Sequence, residues 1–91
     1  MDWNIRPQRS SELEINEAND GFLVYQRDRD RLHFLNPTAM LVLDSCDGSL
    51  RACELPELIA SAFNLAAPPV SDIETCVTDL LREGLLVVPD A

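Results

Sequence analysis

Ninety-one residues form one small domain with a single modest core that buries roughly 60–65% of the unfolded chain's surface, which excludes a large multi-substrate enzyme. Sixteen Asp and Glu stand against 7 basic residues, all arginine, for a net charge of −9. Nucleic-acid binding relies on clustered Lys and Arg that displace counterions from phosphate, so an acidic chain without lysine is repelled by phosphate unless its arginines gather on one face.

Residues 1–11 are polar and contain Pro7 and paired serines, which predicts a loosely held N-terminal arm with Trp3 packing it against the domain. Glu12-Leu13-Glu14-Ile15 alternates with period two, as a half-buried strand does, and Asn19-Asp20-Gly21 is a turn signal. Phe22-Leu23-Val24-Tyr25 then reads as a second strand, Arg27-Asp28-Arg29-Asp30-Arg31 as a solvated turn, and Leu32-His33-Phe34-Leu35 as a third strand. The second and third strands are apolar on both faces. A small antiparallel sheet normally keeps one face polar, so something is expected to cover the second face or an edge, either the chain's own helices or a partner.

At Asn36 the period becomes helical. Asn36 suits an N-cap and Pro37 the first helical position, with Ala39, Val42, Leu43 and Cys46 as the apolar stripe and Gly48 as the expected left-handed stop. Leu55, Leu58, Ile59, Ala62 and Phe63 recur at three- and four-residue intervals and predict a second helix from about Glu54 to Asn64. Ala66-Ala67-Pro68-Pro69 forces an extended break. Ser71 and Glu74 have capping-box spacing and open a third helix, with Ile73, Cys76, Val77, Leu80 and Leu81 as its core stripe and Gly84 as its stop. Leu85 to Val88 is a last apolar segment. Three strands followed by three helices define an α+β domain of the winged helix-turn-helix kind, with a three-stranded antiparallel sheet.

Chemistry-bearing residues are few. His33 is the lone histidine, and no motif supplies the nucleophile and orienting carboxylate that a general base needs, so no catalytic residue is assigned. It reads as a strand histidine with one face wet, or as a hydrogen-bonding contact at an exposed edge. Cys46, Cys53 and Cys76 form an odd set without a C-x-x-C pair, which points to reduced thiols rather than a disulfide framework or a zinc site. Cys46 and Cys76 fall on apolar helical stripes and are expected in the core. Asp44 and Asp47 lack the further oxygen ligands that calcium or magnesium requires, and no metal or cofactor is expected. The N-terminus has no apolar signal-like region and the longest apolar run, Ala39 to Leu43, is too short for a bilayer, so a cytoplasmic protein with no membrane partner is expected.

Binding remains. An edge strand beside a helix offers unpaired backbone groups along an apolar groove, which suits strand addition by an extended peptide. The third helix carries Asp72, Glu74, Asp79 and Glu83 against Arg82 and is ill suited to a DNA major groove. The stretch Phe34-Leu35-Asn36-Pro37-Thr38-Ala39, then Ser45-Cys46-Asp47-Gly48, Ala62-Phe63, Ser71-Asp72-Ile73 to Leu80, and Glu83-Gly84-Leu85-Leu86 resembles the PqqD-like family over residues 12–88. The resemblance implies a non-catalytic recognition element for ribosomally made, enzymatically modified peptides, as in pyrroloquinoline quinone biosynthesis. In such domains the precursor's leader adds to the third strand, lies between it and the third helix, and is presented to a modifying enzyme, often a radical S-adenosylmethionine protein. Carried onto this chain, it implies peptide contacts from Leu32, His33, Phe34 and Leu35, and from the helix row Cys76, Asp79, Leu80 and Glu83. That acidic row would favour a basic or neutral leader. A winged-helix transcriptional regulator and a structural adaptor subunit are the alternatives, and the exposed edge also allows a homodimer.

Overall fold

The computed structural model describes residues 2–89. Its elements are β1 (Gln8–Arg9), β2 (Leu13–Ala18), β3 (Gly21–Gln26), β4 (Arg31–Leu35), α1 (Pro37–Ser45), a 3-10 turn (Ala52–Glu54), α2 (Leu55–Phe63), α3 (Val70–Arg82) and β5 (Leu86–Val87). The fold is mixed α+β: a three-stranded antiparallel sheet ordered β2-β3-β4, followed by three helices, with β1 and β5 paired in a separate two-stranded ladder. No helix among the described residues is long and apolar enough to cross a membrane.

The meander follows its turn chemistry. Asn19-Asp20 joins β2 to β3 with Ala18 opposite Gly21, and Arg27–Asp30 joins β3 to β4, with Asp30 in the left-handed region. Alternation fixes the faces: Leu13, Ile15, Phe22, Val24, Gln26, His33 and Leu35 share the inner face, which the helices cover. Val24, Val42, Leu43, Leu55, Ile59, Ile73, Val77, Leu85 and Leu86 are fully buried, and each such side chain contributes roughly 1.5–3 kcal/mol.

α1 starts as its sequence predicts, with the Ala39 N–H donating to Asn36 Oδ1 at 2.8 Å and Pro37 at the first position. Its end differs. The helix stops at Ser45, and Gly48 takes its positive φ of 89° in the following turn, where its N–H donates to the Pro7 carbonyl. α2 is preceded by the 3-10 turn and closed by Asn64 in the left-handed conformation; Ala62 and Phe63, expected on its core stripe, are exposed.

α3 corrects the capping expectation. The helix begins at Val70, with Pro69 as the cap residue, so Ser71 lies inside the first turn and no side chain caps it. The double proline sets the start instead, and the Ile73 N–H donates to the Pro69 carbonyl. Gly84 does end it: the N–H groups of Gly84 and Leu85 donate to the carbonyls of Leu81 and Leu80, a Schellman motif that needs the left-handed φ of 75° at Gly84.

The N-terminal stretch is also a correction. Met1 lies outside the described residues, but the rest of the expected loose arm is held by backbone bonds. β1 pairs with β5, the Arg9 N–H donates to Cys46 O, Ser10 to Leu85 O, and the carbonyls of Ile5 and Trp3 accept from Ala52 and Cys53. Period counting cannot detect such a two-residue ladder, because its partner lies almost 80 positions away in the chain.

Candidate functional site

β4 is an edge strand, and the ladder's phase decides which of its backbone groups are free. The Arg27 N–H donates to Glu12 O at 3.1 Å, which continues the β2–β3 ladder through Tyr25, Leu23 and Gly21. Bonded pairs alternate in an antiparallel ladder, so Phe22, Val24 and Gln26 bond to β4, and their partners Leu35, His33 and Arg31 turn inward. A Cβ on Gly21 would stand 2.3 Å from the Leu35 carbonyl oxygen, which agrees with that carbonyl pointing into the sheet. Leu32 and Phe34 therefore aim their N–H and C=O groups at the open side.

The side chains of the same two residues lie on the outer face, 65% and 58% exposed, beside half-buried Leu23 and Tyr25. The helices cover only the inner face, so the expected cover over the second apolar face is not supplied by this chain's helices. Phe34 lies over Gly21, where a Cβ would come within 2.8 Å of its ring.

A polar clasp joins the β3–β4 hairpin to the C-terminal end of α3. Gln26 is fully buried; its Nε2 donates to the Glu83 carbonyl at 3.1 Å and its Oε1 lies 3.0 Å from His33 Nε2. With the amide nitrogen used toward Glu83, the amide oxygen is the acceptor, which assigns the proton on Nε2 to His33. Arg29 also donates to the Glu83 carbonyl, at 3.2 Å, and packs over Gly84; a guanidinium there complements the helix's negative end. Arg31 Nη1 lies 3.1 Å from Glu83 Oε2, an ion pair without an aligned hydrogen bond.

The clasp shows which flank of α3 faces the hairpin. It is the flank of Glu83, and Asp79 and Cys76, four and seven positions earlier, stand on the same side of the helix. The residues assigned by resemblance thus divide. Leu32 and Phe34 are exposed at the edge, and His33 is half-buried on the inner face. Leu35 and Leu80 are core residues, closed to a peptide because the apolar period that marked them also buries them. Cys76 is half-buried against the core, and burial raises its thiol to about 11. Asp79 is exposed and paired with Arg82 at 3.2 Å, and Glu83 is paired with Arg31. The acidic row expected to hold a basic leader is therefore largely neutralised within the chain.

Sequence reasoning missed Gln26 and Arg29. The signal for Gln26 was present: it continues the inward phase of Phe22 and Val24, which marks a buried polar group in need of partners. Arg29 carried no signal, since a charged residue in a turn reads as solvated.

Cys46 is buried in the core and its thiol is raised to about 12, chiefly by desolvation, whereas Cys53 is exposed. Among the described residues, no group of three or more His, Cys, Asp or Glu side chains is gathered to hold a metal ion. The β4 edge offers strand hydrogen bonds from Leu32 and Phe34 beside an apolar outer face. No family model, curated protein or solved structure matches the chain.

Proposed function

We propose that the chain is a PqqD-like, winged-helix peptide chaperone of the cytoplasm. It binds the leader of a ribosomally synthesised precursor by strand addition to β4 and presents it to a modifying enzyme, without catalysing a reaction itself. The observation that carries this reading is the free edge, where Leu32 and Phe34 both direct backbone donors and acceptors outward beside the α3 flank of Glu83. An added strand pairs with these two residues and places alternate side chains toward Leu32 and Phe34 or toward the helix. The clasp at Glu83 fixes the spacing between strand and helix, so the site is pre-organised and little ordering cost falls on the protein.

The test is titration of ¹⁵N-labelled protein with a synthetic leader from a short reading frame adjacent to this gene. Binding at about micromolar strength is expected, with the largest amide shifts at Leu32 and Phe34. Saturable DNA retardation, with no response to the peptide, would favour the transcriptional-regulator alternative instead.

A further inference from the structure

The second edge of the sheet adjoins a groove that strand addition at β4 does not use. The ladder phase that frees Leu32 and Phe34 also leaves the backbone groups of Leu13, Ile15 and Glu17 pointing away from β3, because Glu12, Glu14, Asn16 and Ala18 supply the bonded pairs. The two edges differ in one respect. At β4 the free-edge residues point their side chains to the outer face, whereas at β2 they point to the inner face, toward α1.

Between β2 and α1 lie two adjoining cavities that share Asp44. The first, about 470 Å³, is apolar, with Ile15, Phe22, Met40, Leu41 and Phe63 in its wall. The second, about 440 Å³, is polar and lies beside Leu13, with Arg9, Ser10, Asp44 and Asp47 around it. Ile15 and Leu13 are two positions apart on one face, about 6.7 Å along the strand. Asp44 is held by Arg9 at 3.0 Å, so Asp47, which accepts from the Ser49 N–H, is the carboxylate of the polar cavity without an arginine partner among the described residues. A net −9 chain disfavours a second copy of itself as the occupant.

We infer that this groove is a second docking site, for an extended segment of a partner protein that adds to the free edge of β2. The segment carries a bulky apolar residue and an Arg or Lys two positions from it. The apolar side chain enters the cavity at Ile15 and Phe22, and the cation reaches Asp47, since Asp44 is already paired with Arg9. The i, i+2 spacing follows from the strand period, since residues one or three apart would face opposite sides of the added strand.

The probe is a capped nonapeptide, Thr-Val-Thr-Phe-Thr-Arg-Thr-Val-Thr, titrated into ¹⁵N-labelled protein. Saturable shifts at Leu13, Ile15 and Glu17, with a Kd below about 1 mM, are expected. A control peptide with Phe and Arg adjacent should bind about tenfold more weakly, as should the intact peptide to Leu41→Arg protein of native circular dichroism. Should Leu41→Arg not fold, Phe63→Glu on the exposed rim serves in its place. Lack of saturation, shifts confined to Leu32 and Phe34, or equal binding of the two peptides would overturn the inference. The last two outcomes would leave the β4 reading intact.

Discussion

Replacing Gln26 by Met tests the clasp that sets β4 beside α3. The buried amide makes contacts at 3.1 Å to the Glu83 carbonyl and 3.0 Å to His33. Each hydrogen bond contributes about 1 kcal/mol net, so their joint loss costs about 2 kcal/mol. Two effects reduce that. Met has a similar volume and adds buried apolar surface, and the Glu83 carbonyl keeps its bond from Arg29 at 3.2 Å. The expected loss is about 1–2 kcal/mol, or a fall in Tm of about 5–15 °C for a domain of this size. Glu83→Gln is the comparison. It removes a half-exposed ion pair but keeps the carbonyl, and should cost less than about 1 kcal/mol. Urea denaturation of both variants measures the difference. A Gln26→Met protein as stable as the parent, or a Glu83→Gln variant that loses more, would refute the view that the buried amide holds the clasp.

Gly21→Ala should destabilise by about 1–3 kcal/mol, because the new Cβ meets the Leu35 carbonyl oxygen at 2.3 Å and the Phe34 ring at 2.8 Å; a neutral result in urea would show that β4 shifts freely. Thiol labelling at pH 8 should modify exposed Cys53 promptly, half-buried Cys76 more slowly, and buried Cys46 only on unfolding. Burial raises Cys46 and Cys76 to about 12 and about 11 from a value of 9.0, so above pH 9 the unfolded state holds fewer protons than the native state. Their contribution to stability is therefore fully present below pH 9 and is lost as pH rises through about 11–12. Thermal melts across that window should show a steeper decline for the parent than for the Cys46→Ala/Cys76→Ala variant, and equal slopes would contradict the burial of these thiols.

The elements were legible where one local signal dominated. Asn36-Pro37 opens α1 and Gly84 closes α3 because each satisfies a need of the helix end itself, independent of the rest of the fold. The start of α3 was misplaced because Ser71-x-x-Glu74 has capping spacing, yet the preceding prolines already fix the cap two residues earlier, at Pro69. The ladder of Gln8–Arg9 with Leu86–Val87 was invisible, since only tertiary closure brings those segments together. At the candidate site, the apolar excess of the third strand was readable as Leu32 and Phe34. The reverse was true of Leu35 and Leu80, where one apolar pattern serves both core and groove and only depth tells them apart. The pairing of Glu83 with Arg31, between residues 52 positions apart, removed the charge argument for a basic leader. Charge counts locate residues in the chain but not their partners in space.

The central claim, strand addition at the β4 edge, is tested most directly by comparing Phe34→Pro with Phe34→Ala for leader binding. Both lose the ring, but only proline loses the N–H that points outward, and the ladder to β3 survives because His33 and Leu35 carry its bonds. With melting curves confirming that both variants are folded, leader affinity should fall about tenfold or more in Phe34→Pro beyond its value in Phe34→Ala. Equal affinities in the two variants would contradict strand addition at this edge.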